Sequence, residues 1–223
     1  MTRQHSVFDI IGPIMVGPSS SHTAGAVRLG RLARAVLGES PIHADIGLHG
    51  SFASTGTGHG TNLALVAGLL GLAPDDLAIK DAFALAADAG LEVSFHTARL
   101  GQTHPNSALF VLTAADGRTV ELQGSSLGGG DVVLSRIDMY DVEVTGELPL
   151  LLVFHLDRPG EVATVTSVLA EEGVNIARMQ VSRERRGADA LMLIETDAPV
   201  DSASLERIAA APGVVGVRVV PAI

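Results

Sequence analysis

Between residues 23 and 37 the apolar side chains Val27, Leu29, Leu32, Val36 and Leu37 recur near helical spacing, and Gly38 follows where such a helix would stop. Ser21 or Thr23 is the expected N-cap. The period then shortens. Ile42, Ala44, Ile46 and Leu48 alternate with His43, Asp45, Gly47 and His49, which predicts a half-buried strand leading into a glycine-rich loop over 50–60. Residues 61–72 are apolar nearly all round and predict a buried helix, and residues 75–90 predict another after the start signal Ala73-Pro74. Two strand-like runs, 107–115 and 118–124, flank Asp116-Gly117, a two-residue hairpin signal. Residues 125–130 (SSLGGG) read as a flexible or ligand-approaching loop, and strands follow over 131–144.

The texture changes at 145–149. Beyond it the pattern is strand 150–156, turn Asp157-Arg158-Pro159-Gly160, helix 161–172, Gly173, strand 175–184, turn 185–188, strand 189–196, helix 201–211 and strand 214–220. That order, β-α-β-β-α-β, is ferredoxin-like, with right-handed crossovers. The fold class is therefore α+β: a mixed α/β domain over 1–146, then a small βαββαβ domain over 149–223. Short strands and a single helical face leave sheet surface that a second copy would cover, so a homodimer through this domain is expected.

Composition narrows the function. A chain of 223 residues, 47% hydrophobic and 18% charged, can bury a real core. Fifteen Lys and Arg against 25 Asp and Glu give −10, and with one Tyr, no Trp and six Phe there is no phosphate-binding face or stacking platform, so nucleic acid is not an expected partner. The apolar runs at 63–72 and 148–154 fall short of the roughly 20 residues of a membrane span, and no basic segment precedes an apolar stretch at the N-terminus. No membrane contact and a cytoplasmic location are expected. There is no cysteine, hence no disulfide and no thiolate, and the histidines lack the spacing of a zinc set, so no metal is expected on this chain.

Histidine carries the candidate chemistry, in three segments: Ser19-Ser20-Ser21-His22-Thr23, Gly58-His59-Gly60-Thr61 and His104-Pro105-Asn106. Imidazole takes or gives a proton near neutral pH, and small hydroxyl and glycine neighbours leave room for a polar ligand. His59, in a glycine-flanked loop that opens a helix, is a candidate general base or else a capping residue. Ser19, Ser20, Ser21, His22 and Thr23 form either a carboxylate cradle of hydroxyls and helix-start amides or a plain N-cap. His5, His43, His49 and His96 read as structural or surface residues.

Two resemblances follow. Strand 150–156 running into Asp157-Arg158-Pro159-Gly160, with a helix ending at Glu172-Gly173-Val174-Asn175-Ile176, resembles the ACT domain, an amino-acid-sensing module. The resemblance implies an allosteric site at His155, Asp157, Gly160 and Asn175. Serine-sensing relatives carry His-x-Asn at the end of the first strand, where this chain has His155 and Asp157.

The first domain resembles the beta chain of iron–sulfur-dependent L-serine dehydratases. The residues that carry the likeness are Ser6-Val7-Phe8-Asp9-Ile10-Ile11-Gly12-Pro13, Gly17 to Thr23, Gly47-Leu48-His49-Gly50-Ser51-Phe52-Ala53, Thr55 to Thr61, His104-Pro105-Asn106 and Gly128-Gly129-Gly130. Ala26, Thr57 and Asn62 depart from the family pattern of proline, lysine and aspartate. The resemblance implies elimination of water from L-serine, giving pyruvate and ammonia, with a [4Fe–4S] cluster acting on the hydroxyl. It also implies an alpha partner chain that holds the cluster, with this chain supplying groups that position substrate and move protons. His59 and His104 are then the catalytic candidates, and Asn106 joins residues 19–23 as a substrate contact. The alternative is a non-catalytic amino-acid sensor, because the first domain also resembles the allosteric domain of some phosphoglycerate dehydrogenases.

Overall fold

The computed structural model describes residues 14–56 and 58–223, in two compact units. One runs to Asp138 and includes Glu143–Thr145, and the other comprises Met139–Val142 with Gly146–Ile223. His5, the segment 6–13 and Thr57 lie outside the described residues.

The first helix begins earlier than its apolar pattern. A single π turn, Ser20–Ala24, runs directly into α1 (Gly25–Leu37), and its N-cap is Ser19 rather than Ser21 or Thr23. Ser19 has extended backbone, φ −143°, which lets its hydroxyl accept from the His22 amide at 3.2 Å, whereas Ser21 and Thr23 already lie inside the turn. Gly38, at φ +91°, closes α1 as its sequence position predicts. Strand β1 (His43–His49) buries Ala44, Ile46 and Leu48.

Residues 50–60 do not form the expected loop throughout. Their first half is a short helix, α2 (Gly50–Thr55), anchored by the fully buried Phe52. Helix α3 (Thr61–Leu69) ends three residues before the expected 72. The helix expected over 75–90 is shorter and broken. The Asp76 carboxylate accepts from the Ala78 amide and starts a 3-10 turn, Leu77–Asp81, before α4 (Ala82–Asp88). Strand β2 (Glu92–Thr97) is not among the expected elements: it is a largely exposed edge strand, parallel to β1, in which Val93 and Phe95 alternate with Glu92, Ser94 and His96.

Strands β3 (Asn106–Thr113) and β4 (Thr119–Gly128) form the expected hairpin, but through a wider loop than two residues. Ala114 donates its amide to the Arg118 carbonyl, and Gly117 takes φ +84°. The expected loop 125–130 is mostly strand. Residues through Gly128 belong to β4, and only Gly129 and Gly130, at φ +63° and +92°, make the turn into β5 (Asp131–Ile137). With β6 (Tyr140–Val144), the sheet order is β2-β1-β3-β4-β5-β6.

Helix α1 packs on β4, β5 and α3. Two glycines bring α1 and α3 into backbone contact: a Cβ on Gly30 would stand 2.4 Å from the Leu65 carbonyl oxygen, and one on Gly68 would stand 2.2 Å from that of Val27. The start of α1 thus rests on the C-terminal half of α3.

The second unit matches its predicted pattern closely. It comprises β7 (Leu150–Leu156), α5 (Glu161–Glu171), β8 (Ile176–Arg183), β9 (Asp189–Thr196), α6 (Ser202–Ala209) and β10 (Val214–Val220). All its strand pairs are antiparallel, in the order β10-β7-β9-β8, the ferredoxin-like arrangement. Leu151 and Val153 of β7 point with Met192 and Ile194 of β9 into a core closed by Val165, Leu169 and Ile208 of the two helices.

Candidate active site

The starts of α1, α2 and α3 meet around one imidazole. His22, in the π turn ahead of α1, is 8% exposed. Turns of this kind are frequent at functional sites because the extra residue re-aims a side chain. The His22 Nε2 atom lies 3.1 Å from the Thr55 hydroxyl and 3.3 Å from the Ser51 hydroxyl, and Nδ1 lies 3.5 Å from the Ser19 hydroxyl. Its ring stands edge-on to Phe52, with centroids 5.3 Å apart, and to His59, at 5.0 Å. Burial and the neighbouring His59 hold the His22 pKa below the ordinary 6.5. A cationic His22, 5.0 Å from His59, is thus disfavoured.

His59 has the opposite exposure. It sits in the turn between α2 and α3, its backbone amide donating to the Thr55 carbonyl at 3.2 Å, and its side chain faces solvent. Gly60 follows at φ +72° and is the N-cap of α3, so it is Gly60, not His59, that occupies the capping position.

His104-Pro105-Asn106 is strapped to the same place through its backbone. The Pro105 carbonyl accepts from both Ser51 and Phe52 amides, at 2.7 and 3.4 Å, which supplies partners for the first turn of α2. Gly50 makes the approach feasible. It sits at φ +56°, and a Cβ there would lie 2.6 Å from the Pro105 oxygen. Asn106 donates its amide to His104 Nδ1 at 3.2 Å. With that lone pair engaged, His104 Nε2 is left to present its N–H as a hydrogen-bond donor, which suits a substrate contact. Below the strap, Ser107 donates to the His104 carbonyl at 2.5 Å and meets Ser125 at 2.7 Å.

Among the described residues of this unit, four buried side-chain oxygens lack a hydrogen-bond partner: Thr23 Oγ1, Thr61 Oγ1, Asn62 Oδ1 and Ser126 Oγ. All four lie at or beside the beginnings of α1 and α3. Ser126 packs under Gly25, where a Cβ would be 2.0 Å from its hydroxyl, and Thr23 packs against Gly17. Buried polar atoms left unpaired cost free energy and gather where a polar ligand or water is to be bound.

The sequence-predicted residues thus separate into groups. His22, His59 and the serines before α1 come together, and His104 with Asn106 joins them through Pro105. Ser51 and Thr55, which carry the contacts to His22, are absent from the sequence-based site because residues 50–60 read as loop. Read as a helix, their i, i+4 spacing places both hydroxyls on one face.

In the second unit His155 is buried, at 3% exposure, with Nδ1 2.9 Å from the Leu156 carbonyl and Nε2 unpartnered. Asp157 neither caps α5 nor stands free. It accepts from the Gly187 amide at 2.9 Å and pairs with Arg183 at 3.0 Å, and these contacts lower its pKa. The cap of α5 is Gly160, at φ +99°. Asn175 donates to Asp197 and lies at the opposite end of the sheet: Leu150 pairs with Glu195 and Ile176 with Thr196, whereas Leu156 pairs with Asp189. Within one chain, therefore, Asn175 does not reach the other three.

No cysteine is present, and among the described residues no three His, Asp or Glu side chains gather to hold a metal ion. The donor set therefore does not fit an iron–sulfur cluster. Among the described residues no helix is long and apolar enough to cross a membrane.

Fold and site together define a histidine-bearing α/β unit followed by a ferredoxin-like ACT unit. The family model described as serine dehydratase beta chain matches residues 6–90, and that of the ACT domain matches residues 150–213. The chain is 40% identical over 215 residues to a "Probable L-serine dehydratase, beta chain" of Bacillus subtilis (strain 168), covering 96% of this chain and 97% of that one. It is 39% identical to an L-serine dehydratase beta chain of Peptoniphilus asaccharolyticus, over 88% of this chain and 89% of that one. A D-3-phosphoglycerate dehydrogenase of Methanocaldococcus jannaschii is 31% identical, over 51% of this chain and 22% of that one. The chain belongs to the family of L-serine dehydratase beta chains.

Proposed function

We propose that this chain is the substrate-positioning and proton-transfer subunit of an L-serine dehydratase, which converts L-serine to pyruvate and ammonia. The observation that carries the reading is the convergence of His22, His59 and the Pro105 strap at three helix starts, beside four unpartnered buried oxygens. The amides and hydroxyls of Ser19, Ser20 and Ser21 suit the substrate carboxylate, because the helix dipole favours an anion there. Exposed His59 takes the α-proton, and neutral His22 beside it avoids a competing cation. His104 and Asn106 contact the substrate from the strap. The [4Fe–4S] cluster implied by the family resides on a cysteine-bearing alpha chain, since this chain has no thiolate to offer. The sensor reading is not favoured: the dehydratase relatives align over nearly the whole chain, the phosphoglycerate dehydrogenases over about half or less.

The test is anaerobic reconstitution with an alpha chain. Pyruvate forms from L-serine in the complex and not with the isolated chain, and His59→Ala lowers turnover by roughly 10²- to 10⁴-fold, the usual share of general base catalysis. Pyruvate from the isolated chain, or a near-normal rate in an assembled His59→Ala complex, refutes the assignment. The ACT unit we read as a homodimeriser in the cytoplasm. Two copies related by a two-fold axis would bring Asn175 of one to the Asp157–Gly160 turn of the other, which is where amino-acid regulation would act.

A further inference from the structure

The hydrogen-bond count around His22 is asymmetric. Thr55 is in α2, and its hydroxyl has a single proton, given to the Ser51 carbonyl at 2.9 Å in the i to i−4 back-bond common for helical threonine. Towards His22 Nε2, 3.1 Å away, Thr55 Oγ1 therefore presents a lone pair. The contact is a hydrogen bond only if Nε2 carries the proton. The Ser51 hydroxyl, 3.3 Å from both atoms, completes the set by donating to Thr55 Oγ1. On the other side of the ring, Ser19 Oγ accepts from the His22 amide at 3.2 Å and keeps its own proton for Nδ1 at 3.5 Å. The opposite tautomer would set lone pair against lone pair at Thr55 and leave Nε2 only the longer Ser51 contact, at 3.3 Å. Phe52 and His59, both edge-on, hold the ring in this plane.

We propose that Thr55, supported by Ser51 and Ser19, is a positioning residue that holds His22 in its Nε2-protonated tautomer, so that the Nδ1 lone pair faces the serine-rich helix start. There it is an acceptor that the Ser19 hydroxyl engages only at 3.5 Å and that a donor of the bound substrate, such as an ammonium, would take over. This kinetic consequence rests on the proposed dehydratase function, whereas the tautomer itself does not.

The experiment has two arms. In the full chain labelled with ¹⁵N-histidine, long-range ¹H–¹⁵N correlation at mildly alkaline pH reads the tautomer, and His22 is assigned by the signals lost in His22→Gln. Wild type and Thr55→Ser should show the Nε2–H pattern, and Thr55→Val a mixture of tautomers. In the reconstituted complex, Thr55→Val should lower turnover about fivefold, the worth of one hydrogen bond, with Thr55→Ser close to wild type. A wild-type Nδ1–H pattern overturns the proposal whether or not any variant folds, and so does an unchanged pattern in Thr55→Val. The expected tautomers in a chain that supports no serine turnover with any partner would leave the positioning role standing and remove the dehydratase reading instead.

Discussion

Gly68→Ala probes the backbone contact between α1 and α3. The added methyl would stand 2.2 Å from the Val27 carbonyl oxygen, and 2.9 Å from both Arg31 N and Gly30 Cα. Ordinary contact begins near 3.4 Å, and all three neighbours are backbone, so no rotamer change relieves the overlap. Helices α1 and α3 must instead part by about 1 Å. Overpacking of this kind costs about 1–3 kcal/mol, and a rigid backbone neighbour argues for the upper half of that range. Alanine's better helix propensity returns about 1 kcal/mol. The net destabilisation is about 1–2 kcal/mol, or roughly 2–8 °C in Tm for a domain of this size. Calorimetry of the full chain measures the shift, and hydrogen exchange of α1 and α3 amides shows that the loss is local to the first unit. An unchanged or raised Tm would mean that propensity outweighs the clash, and the close-contact reasoning would be wrong.

Stability should also depend on pH through His22. Its folded pKa lies below the ordinary 6.5, chiefly because it is buried, so the unfolded chain binds the extra proton. The contribution is whole above the unfolded pKa and drains away as pH falls from there towards the folded one; His22→Gln should flatten that part of a urea-unfolding series, and parallel curves would refute it. Asp157→Ala should speed exchange of the Gly187 amide that it now binds, without reaching the β7 core amides, and equal protection in both proteins would deny the anchoring role. Light scattering of the full chain should report a dimer, and a monomer at tens of micromolar would count against pairing through the ACT unit.

Legibility differed between the two units for physical reasons. In the second, every strand alternates or runs apolar between glycine or proline turns, and β7, β9 and β10 fall where the pattern puts them. In the first, the signals that failed were those where local rules met tertiary ones. Residues 50–55 are too short and polar to read as a helix, and are held by Phe52 burial and by the Pro105 carbonyl, distant in sequence. Residues 125–130 look like a loop, yet Gly124 and Ser126 are buried where α1 lies on the sheet and only small residues fit, and Ser125 is buried against Ser107. The histidines of the site were visible because imidazole between small residues is unusual. Ser51 and Thr55 were not, because a hydroxyl is ordinary until its neighbour is known.

The bond from the Pro105 carbonyl to the Ser51 and Phe52 amides belongs to no side chain. An alanine scan of the site would pass over it, because every variant keeps the same peptide groups in place. What such a scan can reach is the permission for the bond, namely the bare Cα of Gly50. The docking of the His104 end is consequently written in the main chain and guarded by a single hydrogen atom where any other residue would put a carbon.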